Sequence, residues 1–270
     1  MTRTNKRYGW VPDLPDHRDL LYAAPVTALR ALPAKVDLRP NCPHIYDQEQ
    51  LGSCTANAIA GALEFDQMKQ KLTDIFTPSR LFIYYNERVM EGTVNEDSGA
   101  MIRDGIKSVG KQGACPEEKT KQHPGPEGIW PYDPDYQVRF IKKPTPKCYE
   151  VAAKHQAILY SRLVRNLNQM KGCLASGYPF VFGFSVYESF ESQEVKQTGR
   201  VPMPSPNEQL LGGHAVLAVG YDDSQRRFIV RNSWGKDWGM QGYFTIPYAY
   251  LLDDNLADDF WTIRQVENEP

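Results

Sequence analysis

No stretch of this chain is long and apolar enough to cross a bilayer. The longest nearly apolar run, Phe180 to Val186 with its flanks, falls far short of the ~20 residues a spanning helix needs, and its aromatic and β-branched residues suit a strand. An excess of one charge is also missing. Lys+Arg number 31 against 33 Asp+Glu, a formal net charge of −2, so the general electrostatic grip on nucleic acid or an anionic membrane is absent. The first twenty residues hold Arg3, Lys6, Arg7, Asp13, Asp16 and Asp19 where a signal peptide has its apolar centre, so the cytoplasm is the expected compartment. Cysteine and histidine are scarce, five of each. No cysteines stand at CxxC spacing, and His17, His44, His123, His155 and His214 do not cluster with them, so no metal ligand is assigned. The odd cysteine count leaves at least one thiol unpaired in a monomer. No internal repeat is visible.

What remains is globular: 41% hydrophobic and 24% charged residues over 270 positions, enough for one large domain or two intimate lobes. Residues 1–31, punctuated by Pro12, Pro15 and Pro25, read as an extended arm with Trp10, Val11 and Leu14 as anchors. Ser53 is placed to cap a helix from about Cys54 to Met68, whose Ala56, Ile59, Ala60 and Leu63 make one buried stripe. Further helices are expected over Ser79–Met90, Ser98–Lys111 and around Leu163 to Leu174. The proline-crowded stretch 112–150 reads as ordered loop or insertion. Strands are expected at Phe180–Val186, His214–Tyr221, Arg227–Arg231 and Tyr243–Ile246. Helices first and strands later argue for an α+β protein with a cleft between a helical lobe (about 45–155) and a β lobe (about 156–260).

Three segments carry chemistry. Gln48-Glu49-Gln50-Leu51-Gly52-Ser53 precedes Cys54 at a helix start, where backbone N–H groups and the helix dipole favour a thiolate; alternatively, Cys54 packs as a small buried hydrophobe. His214 stands at the mouth of an apolar strand and is placed to point into a cleft, or is a satisfied structural histidine. Asn232-Ser233-Trp234-Gly235 then offers an asparagine to orient an imidazole and a tryptophan to shield their bond, unless its Trp-Gly pairs are mere core and turns. Each bland reading stands alone. Together, three independent segments supply nucleophile, base and orienter in the order Cys, His, Asn.

That order, Leu32-Pro33-Ala34-Lys35-Val36-Asp37-Leu38-Arg39 as a domain start, Gln48 six residues before Cys54, and Asn-Ser-Trp-Gly with a second Trp-Gly and Gly-Tyr resemble the papain family of cysteine peptidases, in particular bacterial members with a short arm, over about residues 32–250. The family's cysteine signature has His and Asn ~130–150 residues downstream; His214 and Asn232 lie farther from Cys54 because of extra loops at 112–150 and 187–212. Leu51 and Thr55 depart from the family's disulfide cysteine and aromatic residue, and neither change removes a catalytic atom.

The resemblance implies an α+β, papain-like two-lobed fold with a helical lobe and an antiparallel, β-barrel-like lobe. It implies a Cys54 thiolate paired with His214, Asn232 orienting the imidazole, and Gln48 with the Cys54 N–H as oxyanion donors. Ser98 and Gly99 would hold substrate backbone, and Ala100, Met101 and Ala215 would line an apolar pocket, with Gly213 and Trp234 bordering the cleft. The expected partner is a peptide or protein substrate, with no cofactor, nucleic acid or membrane, and the expected activity is endopeptidase. The arm either inhibits by docking along the cleft or is a surface strap. The rival functions are a Cys–His acyltransferase or transglutaminase-like enzyme, and a non-catalytic papain fold used for binding. Asp253, Asp254, Asp258 and Asp259 lack calcium-loop spacing and read as a solvated face.

Overall fold

The computed structural model describes residues 7–133 and 135–267. Its elements run β1 (Trp10–Val11), α1 (Val26–Arg30), β2 (Lys35–Asp37), α2 (Cys54–Gln70), α3 (Arg80–Glu91), β3 (Ala100–Met101), α4 (Ile102–Gln112), α5 (Tyr136–Arg139), α6 (Pro146–Ala152), β4 (Ala157–Arg162), α7 (Leu167–Ala175), β5 (Phe180–Tyr187), α8 (Gln193–Thr198), β6 (Leu210–Asp222), β7 (Arg227–Arg231), β8 (Tyr243–Pro247), α9 (Tyr248–Leu252) and β9 (Ala257–Val266). Among them, no helix is long and apolar enough to cross a membrane.

Helix α2 departs from the one-stripe expectation: every residue from Cys54 to Gln67 is buried. Its alanines at 56, 58, 60 and 62 keep it slim enough to pack against α3 and α4 as well as β6 and β9. Polar side chains near its start are matched, as burial demands: Thr55 donates to Glu87 at 2.8 Å, and Asn57 Oδ1 accepts from Arg80 at 3.0 Å, whereas the buried Asp66 carboxylate toward its other end has no hydrogen-bond partner among the described residues. Ser53 occupies the cap position without capping. Its hydroxyl instead meets Tyr132 at 3.1 Å and accepts from Asn57. Helix α3 is capped by Ser79, which accepts from the Phe82 N–H, and closes on Gly92 at φ 73°. Within 112–150, α5 and the start of α6 are helical, with Thr145 capping α6 and Pro146 in its first turn.

The main sheet has the order β4-β9-β5-β6-β7-β8, with β2 alongside β6, and all these neighbours are antiparallel. It remains open, because β4 and β8 are edges that do not pair, and closure into a barrel requires the outer strands to join. Strand β5 alternates as the pleat dictates. Phe180, Phe182, Phe184 and Val186 enter one apolar cluster with Phe190, Phe244 and Phe260, while Val181 joins the cluster around α2.

Strands β4 and β9 were not expected from the sequence, because Arg162 and Asp258-Asp259 interrupt their apolar pattern. The solvated-face reading of the aspartates fails at Asp259, which is 1% exposed at φ 58°. The arm is woven into the fold from residue 7 onward. Leu14 is no anchor, being 67% exposed; Tyr8 and Tyr22 are buried instead. Asp19 pairs with Arg103 at 2.6 Å, and Tyr22 N–H donates to the Arg162 carbonyl at 2.8 Å.

Candidate active site

Cys54 is the first residue of α2 and fully buried. Because Ser53 leaves the helix start uncapped by a side chain, the first N–H groups and the positive end of the dipole are directed at the Cys54 turn. Six residues earlier, Gln48 is also fully buried. Its Nε2 donates to the Leu51 carbonyl at 2.8 Å and to the Arg7 carbonyl at 3.0 Å. Its Oε1 accepts from Ser233 Oγ at 2.7 Å, and its backbone N–H donates to the Ser233 carbonyl at 2.9 Å.

Strand β6 begins at Leu210, so His214 lies inside it, not at its mouth. Asn232 follows β7, and its Oδ1 lies 2.8 Å from His214 Nε2. That oxygen also accepts the Ser233 N–H at 2.9 Å, which fixes the amide as an acceptor toward the ring. Nε2 therefore carries a proton, and Nδ1, buried without a hydrogen-bond partner, presents its lone pair. A continuous hydrogen-bonded line thus runs from Gln48 through Ser233 and Asn232 to His214. Trp234 lies 5.0 Å from the imidazole, centroid to centroid, with Phe184 at 5.8 Å and Phe190 at 6.5 Å. This apolar bed lowers the histidine pKa to about 4: burial disfavours the imidazolium, the Asn232 bond opposes that, and the Arg7 charge adds to the lowering.

The arm crosses this site. Arg7 places its carbonyl on Gln48 and its guanidinium 5.6 Å from the Trp234 ring. Tyr8 packs edge-on to His214 at 6.2 Å, and its hydroxyl bonds Glu191. Gly9 passes so close to Gly52 and Gly99 that a Cβ on Gly9 would strike the Gly52 carbonyl oxygen, and a Cβ on Gly99 the Gly9 carbonyl. Ala100 N–H donates to the Gly9 carbonyl at 2.8 Å, and β1 runs parallel to β3. Three consecutive arm residues therefore touch Gln48, His214 and the loop leading to Cys54, which brings these elements into one small area.

Of the residues expected to bind substrate, Gly99, Ala100 and Met101 line this strip beside Gly9 to Val11, and Gly213 lies against Trp10. Ser98 turns away, its hydroxyl lying 2.9 Å from both Thr93 Oγ1 and the Gly99 carbonyl oxygen. Ala215 is fully buried, next to Asn57, Ala58 and Asn232 around a small void behind the histidine strand. Sequence reasoning missed Ser233, Tyr8, Phe190 and Asp259. The last accepts from Trp10 Nε1 at 3.0 Å and from the Asp13 N–H at 2.8 Å, and burial with the neighbouring Asp13 charge pushes its pKa up to about 7. Ser233 was legible within the Asn-Ser-Trp-Gly run, whereas the others have no local signal.

This α+β fold, with its buried cysteine at a helix start and its asparagine-held histidine on the sheet, is that of a cysteine protease, a hydrolase. The profile of the papain family cysteine proteases matches residues 32–251. A peptidase C1-like protein of Acanthamoeba polyphaga mimivirus is 41% identical over 97% of this chain and 88% of its own length. The crystal structure of xylellain, a cysteine protease from Xylella fastidiosa, superposes with a TM-score of 0.87 at 46% identity, covering 100% of this chain and 99% of that one. A procathepsin B from Trypanosoma congolense shares the fold at 20% identity and a TM-score of 0.73, over 98% and 88% of the two chains. The chain belongs to the papain family of cysteine proteases.

Proposed function

We propose that Cys54, His214, Asn232 and Gln48 hydrolyse peptide bonds through an acyl-enzyme. The observation that carries this reading is the unbroken line of hydrogen bonds from Gln48 to His214. His214 Nδ1 takes the Cys54 proton, and the thiolate attacks the substrate carbonyl carbon. The oxyanion that forms is received by Gln48 Nε2 and the Cys54 N–H. As the C–N bond breaks, His214 returns its proton to the leaving amine. Water, deprotonated by the same imidazole, then attacks the thioester, releasing the acid and restoring the thiol. Asn232 keeps the ring in the tautomer that each step needs.

The substrate in this reading is an extended peptide on the Gly99–Met101 strip, cut internally, with an apolar side chain two residues before the cut. Support comes from the indole of Trp10, whose ring fills the space beside Gly183 and Gly213 where any Cβ would collide with it. The arm, residues 1–31, is an inhibitor. Its Arg7 carbonyl takes a donor that an oxyanion needs, and its Tyr8 ring covers the imidazole.

The test is cleavage of mixed fluorogenic peptides under reducing conditions by the full chain, Cys54→Ala and Gly9→Ala. The third variant forces a Cβ into the Gly52 carbonyl and so dislodges the arm. Turnover that vanishes in Cys54→Ala and rises in Gly9→Ala is expected. Labelling of Cys54 without hydrolysis would favour an acyltransferase, and equal rates for Gly9→Ala and the unmodified chain would sink the inhibitory arm.

A further inference from the structure

Away from the cleft, three side chains from separate segments meet. Asp74 lies in the turn after α2, His123 in the proline-rich stretch, and His155 just beyond α6. Asp74 Oδ2 stands 2.9 Å from His123 Nε2 and 3.7 Å from His155 Nε2, and the three ligand atoms all lie within 4.8 Å of one another. His155 is buried and the other two are half-buried. The Phe76 ring stands edge-on to both imidazoles, 4.8 Å from His155 and 6.3 Å from His123, shielding one side of the group from water.

We propose that Asp74, His123 and His155 bind a Zn²⁺ ion. A hydrogen bond between His123 and one carboxylate oxygen accounts for part of this arrangement. It leaves His155 beyond hydrogen-bond reach of that oxygen and leaves Asp74 Oδ1 buried without a partner, an arrangement that is costly for a carboxylate. An ion bound by Oδ2 and the two imidazoles gives His155 a partner and balances the charge of the carboxylate. Tetrahedral Zn²⁺ with bonds of about 2.0–2.1 Å sets its ligand atoms about 3.3 Å apart, close to the two separations above. Two imidazoles and a carboxylate suit zinc, with the fourth position on the open side for water.

The loop is already fixed in place: Gln122 Nε2 donates to the Thr73 carbonyl at 2.8 Å, and the His123 N–H to Thr120 Oγ1 at 3.0 Å. Zinc would therefore clamp the 112–150 stretch to the end of α2. That stretch also carries Tyr132, whose hydroxyl donates to the Gln48 carbonyl at 2.6 Å.

The test uses the full chain bearing Cys54→Ala, which removes the thiol of the cleft as a competing ligand. Co²⁺ titration should give one equivalent with visible d–d bands and no thiolate charge-transfer band. Zn²⁺ at a hundredfold excess over its Kd should raise Tm by about 5 °C. His123→Gln and Asp74→Asn, each checked for native circular dichroism, should weaken Zn²⁺ binding more than tenfold and lose the shift. Absence of saturable binding, a thiolate band, or unchanged affinity in both variants would overturn the site and leave a hydrogen-bonded cluster only.

Discussion

The two sides of the cleft are held by different forces. On the helical side, Gln48 and Cys54 rest on a polar frame. Arg80 pairs with Glu117 at 2.6 Å, both nearly buried, and also reaches the Asp47 carbonyl and Asn57, while Tyr132 bonds Ser53 and the Gln48 carbonyl. On the sheet side, the His214 imidazole has a single hydrogen bond among the described residues and is surrounded by Phe184, Phe190, Trp234 and Tyr8. Hydrogen bonds fix direction, which donors to an oxyanion require. Apolar packing fixes the ring through shape and sets its pKa by excluding water. The comparison teaches that the nucleophile side is built for geometry and the base side for dielectric control.

If that contrast is right, the largest loss of stability comes from the polar frame. Arg80→Ala should cost about 3–5 kcal/mol in urea unfolding, because Glu117 is left as an unpaired buried charge. Phe190→Leu on the other side should cost about 1 kcal/mol, since a smaller apolar side chain only partly refills the site. Equal losses would erase the distinction. Next in size is Gln48→Ala, expected to lower kcat by roughly 10²–10³ with the fold intact, as removal of one oxyanion donor does; steady-state kinetics on the Gly9→Ala background measures it. Phe190→Leu should in turn let water nearer to His214 and raise its pKa from about 4 toward the ordinary 6.5, read by NMR titration of the imidazole.

The smallest expected effect is on how arm docking depends on pH. Docking lays Tyr8 on His214 and brings up the Arg7 charge, both of which add to the lowering of the ring's pKa, so the undocked ring binds more protons just above pH 4, and docking weakens as pH falls toward about 4. Asp259 opposes this. Its carboxyl, raised from 3.8 to about 7, holds extra proton in the docked form, so docking strengthens as pH falls from about 7 toward 4. Asp259→Asn removes that opposition and should steepen arm release on the acid side, measured by protease sensitivity of the arm against pH. An unchanged profile would show that Asp259 does not titrate with docking.

Much of this was legible in the chain. Phe180–Tyr187 and Arg227–Arg231 announce themselves because strands buried on both faces read as continuous apolar or β-branched runs. Cys54, His214 and Asn232 stand out because the resemblance rests on segments far apart in the chain. Asp259 was misread because a carboxylate beside another at a chain bend looks solvated until an indole and a backbone N–H close over it. The arm was read as anchored through its apolar residues, yet Asp19 and Asp13, bound by Arg103 and Trp261, hold it as well.

The sequence by itself determined helices α2, α3, α4 and α7, strands β5 to β8, the family and the residue types available for the chemistry. These follow from local pattern and from side-chain identity. Tertiary structure alone decided that the arm's Arg7 carbonyl meets Gln48, that Phe190 from a long loop walls His214, and that Asp74, His123 and His155 converge. Contacts between residues many tens of positions apart depend on how helices and sheet pack, and chain spacing carries no record of that.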